Sequence, residues 1–179
     1  SYQNTGLTHS QTLMVMAEDL LKQCGKTVDD ITAVAVAEGP GSFTGVRIGV
    51  AAAKGFAWGR ELPCYGVSTL EAMALNLGVW DGYVVPCMDA RRSQTYTAIF
   101  RAEGGKLTRI LADCAISVEE LGETLKDCEK PIFLVGDGSA GGGIAADRTA
   151  GEIIAPIFSQ GHLGVIDTQT GQGLHAVLF

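Results

Sequence analysis

A glycine-rich turn in the first third of the chain carries the residue types best suited to chemistry. Backbone amides at the start of a helix attract phosphate groups, and this turn leads into a helix-forming segment. The glycine spacing matches neither a P-loop nor the dinucleotide fingerprint, because Thr44 stands where the third glycine of that fingerprint is needed. We therefore expect no cofactor beyond weak nucleotide binding. The candidate anion or nucleotide residues in this segment are Gly39, Gly41, Ser42, Thr44, Gly45 and Arg47.

Two later segments contain carboxylates near positive charges or glycines. Asp89 precedes Arg91 and Arg92, which predicts either an acid beside phosphate clamps or a turn that Asp89 stabilises; we favour the turn. The segment Gly136–Gly138 follows an apolar run and is typical either of a ligand loop at the end of a strand or of a simple turn. Neither segment by itself predicts catalysis.

Histidine and cysteine are too scattered to predict a metal site. His9, His162 and His175 are isolated from one another along the chain. The five cysteines form no paired spacing, so a reducing compartment is the simplest interpretation. We expect no metal and no catalytic residue.

The segment after the glycine turn predicts a helix that is nearly bare of side chains, over 45–60. Small residues recur every four positions in two series, one through Gly49 and Ala53 and the other through Ala51 and Gly55. Interior glycine costs a helix about 0.5–1 kcal/mol relative to alanine, so such a helix needs very close packing. We expect one face to lie on a sheet and the other to receive a helix from elsewhere. The alternative is that both faces are buried within the domain.

An earlier helix, predicted from Thr8 to Cys24, is broadly apolar. Thr8 and Gln11 form a capping box at its start. Its apolar stripe is wider than one core-facing seam requires, which indicates that part of the helix faces a partner. Together the two helices supply the candidate interface residues Leu13, Met14, Met16, Ala17, Leu20, Leu21, Val46, Gly49, Val50, Ala53 and Ala57.

The remaining pattern alternates helices with buried strands. An apolar run over 31–37 predicts a strand covered on both faces, and runs over 83–90, 91–100 and 106–112 predict a meander of strands. A helix capped by Ser117 and a strand over 131–135 follow. The fold class is therefore α/β. The glycine-rich run over 138–143 has the composition of a linker.

Charge and hydropathy limit the partners of the protein. A net charge of −7 disfavours direct binding of nucleic acid, since phosphate contacts need clustered lysine and arginine. The chain has no run of 18 apolar residues, and its first residues lack the pattern of a signal peptide. We expect a cytoplasmic protein that does not associate with membranes.

The motifs GPGSFTGVRIGVAAAKG, VSTLEAMA, MDARRSQTYTAIF and LVGDG, in this order, resemble the TsaB (YeaZ) family over about residues 8–138. The resemblance implies an actin-like, Hsp70-like (ribonuclease H-like) fold with mixed central sheets in two lobes. It implies a non-catalytic scaffold that pairs with the TsaD paralogue, and through the complex with the ATPase TsaE, in forming N6-threonylcarbamoyladenosine at position 37 of ANN-decoding tRNAs. It also implies a homodimer built on the first two helices, with tRNA contacted only indirectly.

The chain departs from that family in its order. Family members open with a strand bearing Ile-Asp-Thr-Ser/Thr, which is missing here, yet Ile166–Thr170 resembles it and Leu174–Phe179 resembles the second strand. A circular permutation is one hypothesis, and a tail that only mimics the motif is the other. Under permutation Asp167 and Thr168 join the candidate nucleotide loop. The predicted domains are 1–80, completed by 163–179 under permutation, then 81–137, with 138–162 linker-like.

An enzyme remains the alternative function. An actin-fold ATPase or small-molecule kinase would use Asp167 and the glycine turn around ATP and Mg²⁺. Such an enzyme needs convergent carboxylates and two phosphate loops, and the candidates are sparse. A protease has less support still, because no Ser/His/Asp grouping is present in the pattern.

Overall fold

The computed structural model describes residues 9–77, 81–128, 131–140 and 176–178. The described helices and strands fall into two compact units, one formed by Ser1–Ser68 with Gly164–Phe179 and the other by Thr69–Leu163. The helices are α1 (His9–Gln23), α2 (Phe43–Gly59), α3 (Thr69–Leu75) and α4 (Val118–Leu125). The strands are β1 (Ala33–Gly39), β2 (Cys64–Ser68), β3 (Gly82–Arg91), β4 (Gln94–Glu103), β5 (Lys106–Ser117), β6 (Ile132–Val135) and β7 (Ala176–Leu178).

The first unit contains a parallel sheet in the order β2-β1-β7. β1 is central, which agrees with its unbroken apolar sequence, and Val34 and Val36 are buried. α2 connects β1 to β2, as a parallel pair requires. β2 was not predicted from the sequence.

β7, over Ala176–Leu178, pairs with β1 on the side opposite β2. Ala176 aligns with Ala33 and Leu178 with Ala35, in parallel register. Under the permutation hypothesis, the strand near Val165 would lie beside β1. That segment, with Asp167 and Thr168, falls outside the described residues.

The second unit contains a mixed sheet in the order β5-β4-β3-β6. The antiparallel β3-β4-β5 meander is as predicted, and β6 lies parallel to β3. Alternating residues of β3 point into different cores: Val84 packs with Leu70 of α3, and Val85 packs with Leu121 of α4. Each helix therefore covers its own face of the sheet.

Two predicted boundaries differ from the structure. α3, which the sequence placed in the first lobe, belongs to the second unit. The predicted linker begins too early, because a 3-10 helix spans Asp137–Ala140 and Gly138 is buried there. A β-carbon at Gly138 would lie 2.8 Å from the carbonyl carbon of Met88, so glycine is needed for this close approach. Composition alone could not distinguish such packing from flexibility.

Candidate docking surface on helices α1 and α2

Helix α1 exposes part of its apolar stripe to solvent. Met14 is 43% exposed and Val15 is 54% exposed, although both are large apolar side chains. The other predicted interface residues of this helix are half-buried, namely Leu13, Met16, Ala17, Leu20 and Leu21. Val15 was missed by the sequence analysis, because it lies beside the predicted stripe. The stripe is therefore wide, as predicted, and its exposed part is centred on Met14 and Val15.

One face of α2 lies against the sheet. Ala53 and Ala57 are 0% and 3% exposed, and they pack with Val34 and Val36 of β1. A β-carbon at Gly49 would lie 3.9 Å from a methyl group of Val36. The assignment of Gly49, Ala53 and Ala57 to an interface with a partner was thus wrong, because this series of small residues is the one that lets the helix approach β1 closely.

The opposite face of α2 is open. Ala51, Gly55 and Gly59 are exposed, and a β-carbon at either glycine would meet no atom within 4 Å. Trp58, beside this face, is 86% exposed. The sequence analysis did not select Trp58, because the sequence alone does not show that Ala57, the residue before it, faces the sheet. Val46 and Val50 are half-buried, and Val50 packs against the cluster formed by α2 and β1.

An apolar groove of about 250 Å³ lies between α1, α2 and the short 3-10 helix Val28–Asp30. Ile31, at its base, is 6% exposed. The carboxylate of Glu18 is the one acidic group in the groove lining; it accepts a hydrogen bond from Lys22 at 2.7 Å, which lowers the pKa of Glu18. The lining residues are Met14, Val15, Ala17, Glu18, Leu21, Val28, Ile31 and Phe56.

Arg60 fixes the shape of one wall of this groove. Its guanidinium donates to the Oδ1 of Asp29 at 2.8 Å and to the carbonyl of Val28 at 3.4 Å. The same group lies 5.9 Å from the centre of the Phe56 ring. These contacts join the end of α2 to the 3-10 helix, and both elements line the groove.

The glycine turn before α2 serves as the cap of that helix. The Ser42 hydroxyl oxygen accepts a hydrogen bond from the amide of Gly45 at 3.5 Å, and Arg47 lies 5.0 Å from the ring centre of Phe43. Thr44 and Gly45 are exposed. Gly39, at the end of β1, precedes Pro40 in the same turn. Ser42 thus has a structural role, and nucleotide binding by this loop stays a prediction.

Asp89 stabilises a turn, as the sequence analysis favoured. Its Oδ1 accepts a hydrogen bond from the amide of Arg91 at 2.7 Å, while its own amide donates to Oδ1 of Asp137 at 3.2 Å. Gly136 allows the adjoining loop to pack on β3, since a β-carbon there would lie 2.2 Å from the carbonyl oxygen of Cys87. Hydrogen bonding in the Asp89 turn and close packing at Gly136 account for the residue types at these two positions.

The part of the chain that the structure describes contains no cluster of metal-ligand side chains. Over 9–77, 81–128 and 131–140, no three His, Cys, Asp or Glu side chains come together as metal ligands would. His9 is the first residue of α1, and the other two histidines lie outside the described residues. None of the described helices combines the length and apolar character needed to cross a membrane.

Two units, each with a sheet flanked by helices, and an exposed two-helix surface define an α/β protein of the actin-like, ribonuclease H-like class. The model of the family TsaD, tRNA N6-adenosine threonylcarbamoyltransferase, matches residues 4–135. The chain belongs to this family, within which it is of the TsaB (YeaZ) type. The fold and the family predicted from the motifs are both confirmed.

The named relatives support this assignment. The chain is 38% identical over 128 residues to the tRNA threonylcarbamoyladenosine biosynthesis protein TsaB of Bacillus subtilis (strain 168), covering 72% of this chain and 56% of that protein. It is 43% identical over 97 residues to TsaB of Escherichia coli (strain K12), covering 53% and 42% respectively. A tRNA N6-adenosine threonylcarbamoyltransferase of Jannaschia sp. (strain CCS1) is 36% identical over 96 residues, covering 54% and 27%. The chain thus spans about half the length of the TsaB relatives that it matches.

Solved structures agree with the fold. YeaZ from Pseudomonas aeruginosa superposes with a TM-score of 0.67 at 25% identity, covering 85% of this chain and 70% of that one. An uncharacterized protein with similarity to peptidase YEAZ from Pseudomonas aeruginosa gives a TM-score of 0.70 at 24% identity, covering 89% and 73%.

Proposed function

We propose that this protein is a non-catalytic partner that docks through α1 and α2 onto the TsaD transferase and supports formation of N6-threonylcarbamoyladenosine in ANN-decoding tRNAs. The observation that carries the proposal is the exposure of large apolar side chains on these two helices, Met14 and Val15 on α1 and Trp58 on α2. The relatives named TsaB supply the pathway.

Exposed side chains of this kind are typical of interfaces. Tryptophan and methionine are enriched in the cores of protein interfaces, and a few such anchors supply most of the binding energy. The exposed glycine face of α2 adds a second property, because it lets the backbone of a partner helix approach closely.

A non-catalytic role is supported by what two candidate ligand-binding residues do. Ser42 caps α2, and Asp89 holds a turn. Because these groups already have structural partners, we propose that the chemistry belongs to the transferase. The net charge of −7 supports a role in which tRNA is held by the partner.

The remaining partners follow from the same proposal. TsaE would join through the TsaB–TsaD complex, self-association would use the same helices, and the complex would act in the cytoplasm without a cofactor held by this chain. Weak nucleotide binding at the Gly39–Gly45 turn stays a prediction.

The test pairs one substitution on α1 with a matched control. Val15→Asp places a charge on the proposed surface, while Ile110→Asp places the same charge at a residue of β5 that is 56% exposed. Binding of the TsaD protein of the same organism is measured by calorimetry, and tRNA modification by the mixture is measured in parallel. We expect Val15→Asp to weaken binding at least about 30-fold, the size of an interface hot spot, and to lower modification equally.

Ile110→Asp should leave both quantities within about twofold of the wild type. Equal effects of the two substitutions, or no binding of TsaD by the wild-type chain at micromolar concentrations, would contradict the proposal. Turnover of ATP by the chain alone would favour the kinase alternative instead.

A further inference from the structure

We propose that the turn between β3 and β4, which carries Arg91 and Arg92, contacts the phosphate backbone of the RNA on which the complex acts. This inference rests on the proposed function, because the transferase brings the RNA to the complex. It goes beyond that function, since the family resemblance implies only indirect contact between this chain and tRNA. The two arginines add a local contact to a chain whose net charge of −7 is otherwise unfavourable for RNA.

The turn between β3 and β4 holds side chains in a backbone conformation that favours glycine. Arg91 pairs with Gln94, so Arg92 and Ser93 form a two-residue turn. The φ angles of Arg91, Arg92 and Ser93 are +65°, +54° and +59°. A β-carbon in this left-handed region lies too close to the following carbonyl oxygen, so three such residues in succession strain the backbone.

The next turn of the same sheet shows the unstrained alternative. Gly104 and Gly105 join β4 to β5, with φ angles of +57° and +77°. The favoured two-residue hairpin turns need positive φ at one or both central positions, which glycine adopts without steric cost. Because the fold alone would favour glycine in both turns, the presence of Arg92 and Ser93 in one of them points to a role for their side chains outside the fold.

The guanidinium groups of this turn have no partner within the described part of the chain. Arg91 and Arg92 are exposed, and neither forms an ion pair or an aromatic contact with another described residue. Asp89, the nearest acid along the chain, accepts from the backbone amide of Arg91. Each of the other described arginines contacts a carboxylate or an aromatic ring, namely Arg47, Arg60, Arg101 and Arg109. The two arginines of the turn are therefore available to an external anion.

A phosphate backbone is the ligand that fits the donors of this turn. Arg91, Arg92, Ser93 and Gln94 are consecutive and exposed, and every one of these side chains can donate hydrogen bonds. Guanidinium groups bind phosphate in a bidentate manner and remain charged. Small ligands bind in concave sites, whereas a row of exposed donors suits a long polyanion. Contacts of this kind position RNA without reading its sequence.

The backbone of the turn is anchored to a neighbouring loop. The Asp89 amide donates to Oδ1 of Asp137 at 3.2 Å, at the start of the 3-10 helix Asp137–Ala140. A β-carbon at Gly138 would lie 3.0 Å from the amide nitrogen of Asp89, so this helix packs closely on β3. None of these contacts uses the side chain of Arg91 or Arg92. Substitution of the two side chains therefore leaves the anchoring contacts in place.

The first experiment measures binding of an ANN-decoding tRNA by the complex of the full chain with TsaD at increasing KCl concentration. Each lost phosphate contact makes the slope of log K against log salt about 0.7–0.9 less steep. Arg91→Gln combined with Arg92→Gln should therefore make the slope about 1.5 less steep, which corresponds to about 30-fold weaker binding at about 0.1 M salt relative to 1 M. The control combines Lys106→Gln with Lys126→Gln, which removes two exposed charges of the same unit, and it should change the affinity less than about threefold.

The second experiment uses Arg92→Gly to separate the RNA contact from the fold. Glycine relieves the strain at a φ of +54°, so the midpoint of thermal denaturation should rise. Loss of one phosphate contact should still make the salt slope about 0.8 less steep and weaken tRNA binding about sixfold at about 0.1 M salt. A residue with a purely structural role would not combine higher stability with weaker RNA binding.

Four results would overturn the inference. They are an unchanged salt slope in the double arginine variant, equal effects of the arginine and lysine variants, a wild-type chain that adds nothing to the tRNA affinity of TsaD, and binding of ATP by the chain alone that is lost with the two arginines, which would identify a free nucleotide as the ligand.

Calorimetry with TsaD distinguishes failure of this inference from failure of the proposed function. The arginine variants should bind TsaD as the wild type does, since the turn lies outside α1 and α2. If they weaken TsaD binding and leave the tRNA slope unchanged, the turn contacts a protein, so the inference fails while the proposed function stands. Absence of TsaD binding by the wild-type chain would refute the proposed function and the inference together.

Discussion

Substitution by leucine should have opposite effects on stability on the two faces of α2. Ala53 is fully buried against Val34 and Val36, whereas Gly55, half a turn away, has open space around its missing β-carbon. We predict that Ala53→Leu destabilises the chain and that Gly55→Leu does not.

The magnitudes follow from packing and from helix propensity. Adding three carbon atoms at Ala53 overpacks a closed site, which costs about 1–3 kcal/mol of the free energy of unfolding. Replacing an interior helical glycine such as Gly55 by a good helix former gains about 0.5–1 kcal/mol, because leucine does not have the backbone freedom of glycine in the unfolded chain. The free energies of unfolding of the two variants should therefore differ by about 1.5–4 kcal/mol, with Ala53→Leu below the wild type and Gly55→Leu above it.

Urea denaturation followed by far-UV circular dichroism measures both values, and calorimetry with TsaD measures docking. Gly55→Leu should be folded and deficient in docking, because its side chain fills the space that a partner helix needs. If Gly55→Leu is destabilised as much as Ala53→Leu, the face is covered within the chain and the reasoning is refuted. The reasoning is also refuted if Gly55→Leu is stable and binds TsaD as tightly as the wild type does.

Three further predictions concern the second unit. Gly136→Ala should destabilise the chain by more than about 2 kcal/mol in a urea titration, because the backbone φ there is +111° and the new β-carbon would lie 2.2 Å from the carbonyl oxygen of Cys87. Burial raises the pKa of the Cys87 thiol from 9.0 to about 11, so its contribution to stability is complete below about pH 9 and is lost as the pH rises toward 11. The wild type should lose about 2 kcal/mol more than Cys87→Ala across that range, and equal losses would contradict this. Ser117→Ala should cost about 1 kcal/mol, measured by thermal denaturation against Thr124→Ala, since the Ser117 hydroxyl oxygen accepts a hydrogen bond from Glu120 N at 3.1 Å at the start of α4.

Most of the described helices and strands could be predicted from the sequence, because apolar periodicity and capping residues lie within each segment. α1 was predicted to end at Cys24 and ends at Gln23, and the cap at Ser117 was identified from its side chain. β2 was missed because its sequence, Cys64–Ser68, is short, contains a glycine and has exposed residues; it is a strand because it pairs with β1. Pairing of this kind is a tertiary effect that no single segment shows.

The docking surface was predicted in outline and not in detail. Both faces of α2 carry small residues, so periodicity could show that two faces pack closely but not which one lies on the sheet. The buried face proved to be that of Ala53, and the exposed face that of Gly55. The groove depends on Phe56 and on the 3-10 helix Val28–Asp30, which come together only in the folded unit.

Hydrogen exchange of the chain with and without TsaD tests the central claim most directly. If α1 and α2 form the docking surface, amides over His9–Gln23 and Phe43–Gly59 will exchange more slowly in the complex, and the meander β3-β4-β5 will be unchanged. Protection confined to the meander, with no change on either helix, would contradict the account.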